Sequence, residues 1–580
     1  MKPEEYFFNP QTIAQKQYEA LRMFFVEKAL AKDVAKKFNY TYRGFTTIVS
    51  EFRKKLGNEV IKELFFHDQK KGRKRPEYIS DAKELIIHLR KQYRSVEDIK
   101  VILDGKGYQV SERTIYNIIT EEGFNRLPRR MKAEKENLKK PKITAPKSFQ
   151  IDFTPEEFKS SSGGILCLLP YIEKYGIRKI IEKSNYPQTK SISKLNSILS
   201  FIALKASNAR RYTADDLWCM DRGQGLFALL NALPKAAWYT SYSDRITSEM
   251  NLQFLKTLHE LWLSKELLGD TMNLDFTTIP YWGDDKHLEN NYSGKRGKAL
   301  ASMLAVLAHD PDSGIIDYGN TNVMHKNESA VILEYLDFYQ STPQGRKELR
   351  YMIFDSKFTN YQNLNKLNKQ EIKFITIRRR GKNMVEHISK NPKDNWKIFR
   401  IDAAGNKKRS LKVFEEIIKL KDYDGKVRQI NITGNGKIKP AIIITNDFVL
   451  PIENIVRKYT RRWIIEKVNS EQIKFFHLNN VSSSMVIKVD FDLTMSILTH
   501  NLFRLFANDL ERYTHIEDMS VYEKFLKNSA DIVIENETIN VKLKKKRNLP
   551  LILEAMGKFT DYKYPFMNNK KLKFIGASYS

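Results

Sequence analysis

The spacing of hydrophobic residues changes along the chain. Up to about residue 124 the apolar positions recur at helical intervals in short segments, as in Thr41–Leu56, where Phe45, Val49 and Phe52 share one face. A second helical region, which includes Leu195–Ala206, extends to about residue 269. Beyond it the pattern consists of short apolar runs of strand length. The predicted fold class is therefore α/β, with all-α units before a mixed sheet that is covered by helices.

Two segments near the N-terminus have the pattern of helix-turn-helix units. The first joins Ala31–Phe38 to Thr41–Leu56, and the second is Ser95–Phe124, where Ser111 is the expected N-cap of the second helix. Paired short helices also occur in many all-α proteins, but two in tandem on a basic chain favour DNA binding. The side chains expected to contact DNA are Arg43, Thr46, Thr47, Arg113, Tyr116 and Asn117.

The runs after residue 270 predict a sheet that starts with a three-stranded meander. Strands are predicted at Met272–Ile279, Leu300–His309, Ile315–Asn320, Leu349–Asp355 and Ile372–Arg380, and helices at Glu328–Gln340 and Tyr361–Asn368. Further strand-length runs at Trp396–Ile401, Val427–Ile432 and Ala441–Thr445 predict an inserted β-subdomain. One long helix is then predicted from Pro451 to about Phe476.

These changes in pattern divide the chain into segments. The predicted boundaries are 1–68 and 76–124 for the helix-turn-helix units, 125–148 for a basic linker, 149–269 for a helical subdomain, 270–380 for the first part of the sheet core, 381–450 for the inserted β-subdomain, 451–515 for the core helices and 516–580 for a C-terminal extension.

The charge balance indicates a polyanionic partner. The 580 residues include 99 Lys and Arg against 69 Asp and Glu, a formal net charge of +30. Basic side chains near phosphates gain free energy by releasing counterions, so nucleic acid is the expected partner. A basic protein of another kind, for example a ribosome-associated one, would have the same charge. The hydrophobic content of 41% is sufficient for large packed cores.

Cysteine usage and hydropathy indicate the compartment. Cys167 and Cys219 both lie in apolar surroundings and are expected to be buried free thiols of a reducing compartment. The first ten residues lack the apolar core of a signal peptide, and no uncharged run approaches the length of a membrane span. The expected location is cytoplasmic, associated with the nucleoid when the protein is bound to DNA.

Three carboxylates are the candidate metal ligands. Asp275 lies within an apolar strand, Asp355 ends the apolar run that starts at Tyr351, and Glu466 lies on the long helix. A carboxylate at the end of a buried strand lies at the edge of a sheet, where it can hold an ion. Hard cations such as Mg²⁺ prefer oxygen ligands, and a pair of them can act on both reacting oxygens of a phosphoryl transfer. On the helix, Tyr459, Arg462 and Glu466 share one face.

At these residues the chain resembles the DDE transposases of bacterial and archaeal insertion sequences. Tyr459–Glu466 (YTRRWIIE) is similar to their Tyr-x2-Arg-x3-Glu signature, in the group with a β-strand insertion before the catalytic Glu. Tyr351–Arg380 resembles the second block of that family, and Leu274–Pro280 resembles the first. The long interval between Asp355 and Glu466 accommodates the insertion.

The resemblance implies a ribonuclease-H-like fold for the mixed-sheet core and a metal-dependent transposase. Asp275, Asp355 and Glu466 would be catalytic and would bind Mg²⁺ or Mn²⁺, two ions per active site. Tyr459, Arg462 and Lys474 would contact DNA. The implied partners are the terminal inverted repeats of a transposon and target DNA, with a homodimer on paired ends. Cleavage of the second strand through a hairpin or by a second nick stays open.

One position departs from the family pattern. The family usually has a Lys seven residues after the Glu, where this chain has Ile473; Lys474 is the nearest basic residue, about 80° further round the helix. Glu471 and Asp317 are expected at the surface or in turns. Trp396 is expected either to pack in the core or to stack on an unpaired base.

Other classes of protein lack support in the sequence. The ten His residues have no ligand-spaced cluster, and neither a GxxxxGK[ST] loop nor a GxSxG motif occurs. Two alternatives to a transposase stay open. One is a transposase-derived DNA-binding protein without catalysis, and the other is a ribonuclease-H-like nuclease without strand transfer.

Overall fold

The computed structural model describes residues 10, 12–56, 78–91, 94–124, 127, 150–189, 191–209, 216–280, 288–293, 298–342, 349–403, 407–434, 440–478 and 486–577. The predicted basic linker lies outside these residues except for residue 127. The chain divides into two compact units, Met1–Ile79 and Ser80–Ser580. In the described part of the chain, no helix combines the length and the low polarity that a membrane span needs.

Helices alternate with strands in the central part of the chain. They are α1 (Ile13–Phe25), α2 (Ala31–Lys37), α3 (Tyr42–Leu56), α4 (Tyr78–Lys91), α5 (Val96–Gly105), α6 (Glu112–Glu121), α7 (Leu169–Lys174), α8 (Ile177–Lys183), α9 (Lys194–Ala206), α10 (Asp216–Cys219), α11 (Arg222–Phe227), α12 (Ala236–Ser243), α13 (Ser248–Ser264), α14 (Val331–Tyr339), α15 (Tyr361–Lys369), α16 (Lys382–Ser389), α17 (Ile452–Arg461), α18 (Trp463–Lys474), α19 (Val486–Ala507), α20 (Asp518–Val521) and α21 (Leu549–Gly557).

The strands belong to two sheets. They are β1 (Glu156–Ser160), β2 (Thr271–Pro280), β3 (Asn290–Ser293), β4 (Lys298–His309), β5 (Ile316–Val323), β6 (Tyr351–Phe354), β7 (Lys373–Ile377), β8 (Lys397–Ala403), β9 (Lys407–Ile418), β10 (Val427–Thr433), β11 (Ala441–Thr445), β12 (Ala530–Ile534), β13 (Thr538–Leu543), β14 (Lys563–Tyr564) and β15 (Lys570–Gly576).

Helices α1 to α3 lie in the described part of the N-terminal unit. Phe45 and Val49 of α3 are buried against Leu21 of α1 and Val34 of α2, in one apolar cluster. Asn39 has a positive φ of 52°, a conformation that Asn tolerates and that turns the chain between α2 and α3. The predicted helices are present, while the helix-turn-helix assignment stays a prediction.

A second set of three helices, α4 to α6, belongs to the larger unit. The hydroxyl of Ser111 accepts a hydrogen bond from the backbone N–H of Thr114, which confirms the predicted N-cap. Ile115 of α6 is buried against Ile99 of α5. Gly105 ends α5 beside Thr247, and a Cβ at this position would lie 2.8 Å from Cγ2 of Thr247, so this approach requires glycine.

The central sheet has ten strands within the described residues, in the order β3-β4-β2-β6-β7-β11-β10-β9-β8, and β5 also pairs with β4. β2, β4 and β5 are antiparallel, which confirms the predicted meander, whereas β6 and β7 run parallel to β2. α18 and α19 pack on this sheet. The fold class is mixed α/β as predicted, and the order of these first strands fits a ribonuclease-H-like core.

The strands between residues 397 and 445 continue the central sheet. β11 pairs antiparallel with β7, and β10, β9 and β8 follow it in turn. β9 was not among the predicted strands because its sequence, KKRSLKVFEEII, begins with polar residues. The boundaries of an inserted subdomain stay predictions, since these strands share one sheet with the core.

The predicted long helix is two helices. α17 ends at Arg461 and α18 begins at Trp463, with Arg462 between them. The backbone N–H of Arg462 donates to the carbonyl of Tyr459, and that of Ile465 donates to the carbonyl of Arg462. These contacts span three residues instead of four, so the chain tightens at Arg462. The prediction of one uninterrupted helix was wrong at this residue.

The second sheet joins the segment before the core to the segment after it. Its order is β1-β12-β13-β15-β14, and β1 pairs antiparallel with β12.

Cys167 and Cys219 are buried and free, as predicted.

Candidate active site

Asp275 and Asp355 lie on neighbouring strands. β2 and β6 pair in parallel through Leu274 and Phe354, which directly precede the two aspartates. Adjacent strands are about 4.8 Å apart, so the two residues lie side by side. Asp355 follows the last residue of β6 and accepts a hydrogen bond from the backbone N–H of Ser356. Both side chains are partly buried.

Arg462 connects one of these aspartates to Glu466. Its Nη1 lies 3.4 Å from Oδ1 of Asp275, and its Nη2 donates to Oε1 of Glu466 at 2.9 Å. The guanidinium is buried, whereas the Glu466 side chain is 53% exposed. The break between α17 and α18 places Arg462 over β2, and one turn later the helix presents Glu466. The guanidinium of Arg462 thus contacts two acids that are distant in sequence, Asp275 and Glu466.

The electrostatics of the site reflect this crowding. Burial raises the pKa of Asp275 to about 7, an effect that Arg462 opposes and that the charges of Glu466 and Asp355 reinforce. Burial lowers the pKa of Arg462, but the combined influence of Tyr459 and the three acids raises it overall. The guanidinium also lies 5.6 Å from the centre of the Tyr459 ring. The charges of Asp355 and Glu466 therefore act on Asp275, and all three acids act on Arg462.

The donor set suits a hard divalent cation. All three side chains offer carboxylate oxygens, and a bound cation would stabilise the charged form of Asp275, whose pKa is raised first by burial and then by the neighbouring acids. The oxygens of these three acids do not all lie within 4.8 Å of one another. Among the described residues, the group that meets this condition is Glu471, His500 and Asp518. A cation shared by all three acids requires their oxygens to move closer together.

The cluster of Glu471, His500 and Asp518 is paired internally. Nδ1 of His500 lies 2.6 Å from Asp518, Arg504 donates to Asp518 at 2.8 Å, and Glu471 accepts from the Asp518 backbone N–H at 2.5 Å. Burial and the nearby Asp518 raise the pKa of Glu471 to about 9. Because Arg504 and His500 are both already paired with Asp518, this cluster is a structural polar network.

Two acids expected at the surface are instead buried. Glu471 lies under α19 and α20 because His500, Arg504 and Asp518 come from those elements and supply its polar surroundings. Asp317 is buried on β5, where it contacts Nδ1 of His259 at 2.9 Å. Both expectations were wrong, since the partners that compensate the burial are remote in sequence.

Most of the side chains predicted to contact DNA are exposed. Arg43 and Thr47 are exposed and Thr46 partly so, but both threonine hydroxyls donate to the carbonyl of Arg43. Arg113, Tyr116 and Asn117 are exposed on α6. Lys474 is exposed in the last turn of α18. Among the described residues, Arg462 forms the ion pairs with Asp275 and Glu466, and Lys474 forms none with the three carboxylates.

Trp396 makes a packing contact, while its stacking on an unpaired base stays a prediction. Its ring centre lies 5.5 Å from that of Phe414, so it packs against the sheet. It also lines a cavity of about 520 Å³ together with Ile398 and Lys412.

One contact of Asp275 was not anticipated from the sequence. Nδ2 of Asn469 donates to Oδ2 of Asp275 at 3.2 Å. Asn469 is three residues after Glu466 and shares the buried face of α18 with Ile465, Val468 and Gln472. A polar residue at helical spacing from apolar ones was the available signal.

Comparison with known proteins places this geometry in context. Residues 270–502 match the family model of the transposase DDE domain. The matched segment contains Asp275, Asp355 and Glu466, and it supports a DDE transposase. No curated protein matches the chain. A structure comparison also matches the chain to a cryo-EM structure of the piggyBac transposase synaptic complex with hairpin DNA, with a TM-score of 0.35 and 11% identity over 71% of this chain and 86% of that one. A likeness this low does not establish a common fold.

Proposed function

We propose that this protein is a DDE transposase of the insertion-sequence group, which binds transposon ends, cleaves them and joins them to target DNA. The proposal is carried by one observation: Arg462 holds carboxylates from β2 and α18 together, beside Asp355 at the end of β6. This arrangement lies within the segment that matches the transposase DDE domain.

Asp275, Asp355 and Glu466 would hold Mg²⁺ or Mn²⁺, two ions per site. Cations bound there supply charge neutralisation at the scissile phosphate and activation of the attacking oxygen. The side chains of the protein orient the carboxylates. Arg462 orients Glu466, and its positive charge offsets the carboxylates where a phosphate would approach.

DNA is the proposed partner. The net charge of +30 favours a polyanion, and the exposed side chains of α6 offer Arg113, Tyr116 and Asn117 to it. Near the cleavage site, Tyr459 and Lys474 would contact the backbone. Two ends must be brought together for transposition, so the active assembly would be a homodimer on paired ends.

The test is cleavage of end-labelled DNA that carries the inverted repeats flanking the gene. Wild-type protein with Mg²⁺ or Mn²⁺ should nick the repeat end and join it to a target plasmid. Asp355→Ala should abolish both reactions and retain DNA binding. Asp312→Asn, at an exposed aspartate in the β4–β5 turn, is the matched control and should react normally.

The outcomes separate the alternatives. Cleavage without joining indicates a nuclease, and specific binding without cleavage indicates a DNA-binding protein derived from a transposase. Equal cleavage by wild type and Asp355→Ala contradicts the assignment of Asp355.

A further inference from the structure

Asn469 is a buried amide beside the candidate catalytic acids. It lies on α18 three residues after Glu466, and its side chain is almost fully shielded from solvent. An uncompensated polar group at such a position costs free energy, so its contacts are informative.

Each oxygen of the Asp275 carboxylate contacts a different partner. Oδ2 of Asp275 accepts from Nδ2 of Asn469 at 3.2 Å, and Oδ1 faces Nη1 of Arg462 at 3.4 Å. Rotation of the carboxylate would disrupt both contacts. The carbonyl Oδ1 of Asn469 is buried and has no hydrogen-bond partner, so the contact with Asp275 is the one that the structure assigns to this side chain.

We infer that Asn469 is a positioning residue for Asp275, an inference that rests on the proposed function. Its amide N–H fixes the orientation of the carboxylate and couples β2 to the helix that carries Glu466. A neutral donor suits this role, because it orients the carboxylate without adding a positive charge that would compete with a cation. Partners of metal ligands typically change metal affinity by about 10- to 100-fold when they are removed.

The experiment measures Mn²⁺ binding to the full chain by calorimetry, without DNA. Asn469→Leu removes the donor and keeps similar volume. Gln472→Leu is the matched control, because Gln472 is a buried amide one turn further along α18 whose polar atoms both lack hydrogen-bond partners. Asn469→Leu should weaken Mn²⁺ binding by at least about tenfold, whereas Gln472→Leu should stay within about twofold of wild type. Thermal melting verifies that each variant is folded.

A second variant with a smaller side chain is used if the first variant does not fold. If Asn469→Leu does not fold, Asn469→Ala removes the donor without steric conflict and is measured in the same way. Asp275→Asn is included to establish that the Mn²⁺ measured is bound at this site.

The outcomes distinguish this inference from the proposed function. Wild-type binding that requires Asp275 but is unchanged in the Asn469 variants overturns the role of Asn469 alone. An equal loss in Asn469→Leu and Gln472→Leu also overturns it, because the effect would then be general to the helix. Absence of Mn²⁺ binding by the wild type, or binding that is independent of Asp275, overturns both.

Discussion

Nη1 of Arg462 lies 3.4 Å from Oδ1 of Asp275, and this contact joins the helix layer to the central sheet. Both side chains are largely shielded, so the interaction is weakly screened by solvent. The same guanidinium donates to Glu466, which makes Arg462 the common counter-charge of two acids.

Replacing Arg462 with Lys should impair cleavage although the charge is kept. A single ammonium cannot reproduce the planar fork that reaches Asp275 and Glu466 together, so the single-turnover cleavage rate should fall at least about tenfold. Arg461→Lys is the control, because Arg461 is next to Arg462 in sequence but is half-exposed and pairs with Asp312 in a turn. A similar loss in both variants would mean that the effect is not specific to the carboxylate site.

The buried network behind α18 should respond unequally to two neutralising changes. Asp518→Asn leaves the buried guanidinium of Arg504 without its counter-charge and removes the carboxylate that contacts His500, and it should cost about 3–5 kcal/mol of unfolding free energy. Glu471→Gln should be tolerated at pH 7, since Glu471 is already protonated there with a pKa of about 9. Urea denaturation of the two variants and the wild type measures both effects. Equal destabilisation by the two changes would contradict the assigned protonation of Glu471.

His259 should make stability depend on pH. Burial lowers the pKa of this imidazole, but the charge and hydrogen bond of Asp317 and the carbonyl of Tyr339 outweigh it, so the pKa is raised above 6.5. A raised pKa in the folded state contributes stability that is full below the unfolded pKa and is lost as pH rises through the folded one.

The prediction is therefore a stability difference that shrinks with rising pH. The free energy of unfolding of wild type minus that of His259→Gln should be largest near pH 6 and should decrease toward pH 9. Urea titrations across this range measure it. A difference that is constant with pH would mean that folding does not shift the pKa of His259, and one that grows with pH would mean that folding lowers it.

Arg113 should contribute to DNA affinity through phosphate or base contacts of α6. Arg113→Ala should weaken binding to the inverted repeat, and if the contact is to phosphate it should reduce the slope of log affinity against log salt by about 1. Lys100→Ala also removes one positive charge from the α4–α6 helices. Lys100 is paired with Asp104, so this substitution should have little effect on DNA affinity. Fluorescence anisotropy at several salt concentrations compares them, and equal slopes for Arg113→Ala and wild type would exclude a phosphate contact by Arg113.

The sequence by itself determined the local structure of this protein. The N-cap at Ser111, the inward face of α6, the strand that ends at Asp355 and the helical spacing of Arg462 and Glu466 depend on residues within one or two turns of each other. Such features follow from backbone hydrogen bonding and side-chain periodicity, which act over short stretches of chain.

Only the tertiary structure decided which remote groups meet. The burial of Glu471, the pairing of β11 with β7 and the hydrogen bond from Asn469 to Asp275 each depend on elements far apart in sequence. A polar residue on a helix is equally compatible with solvent and with a buried partner until the opposing surface is known. The physical reason is that burial removes water from a polar group, and its stability then depends on the partners that packing supplies.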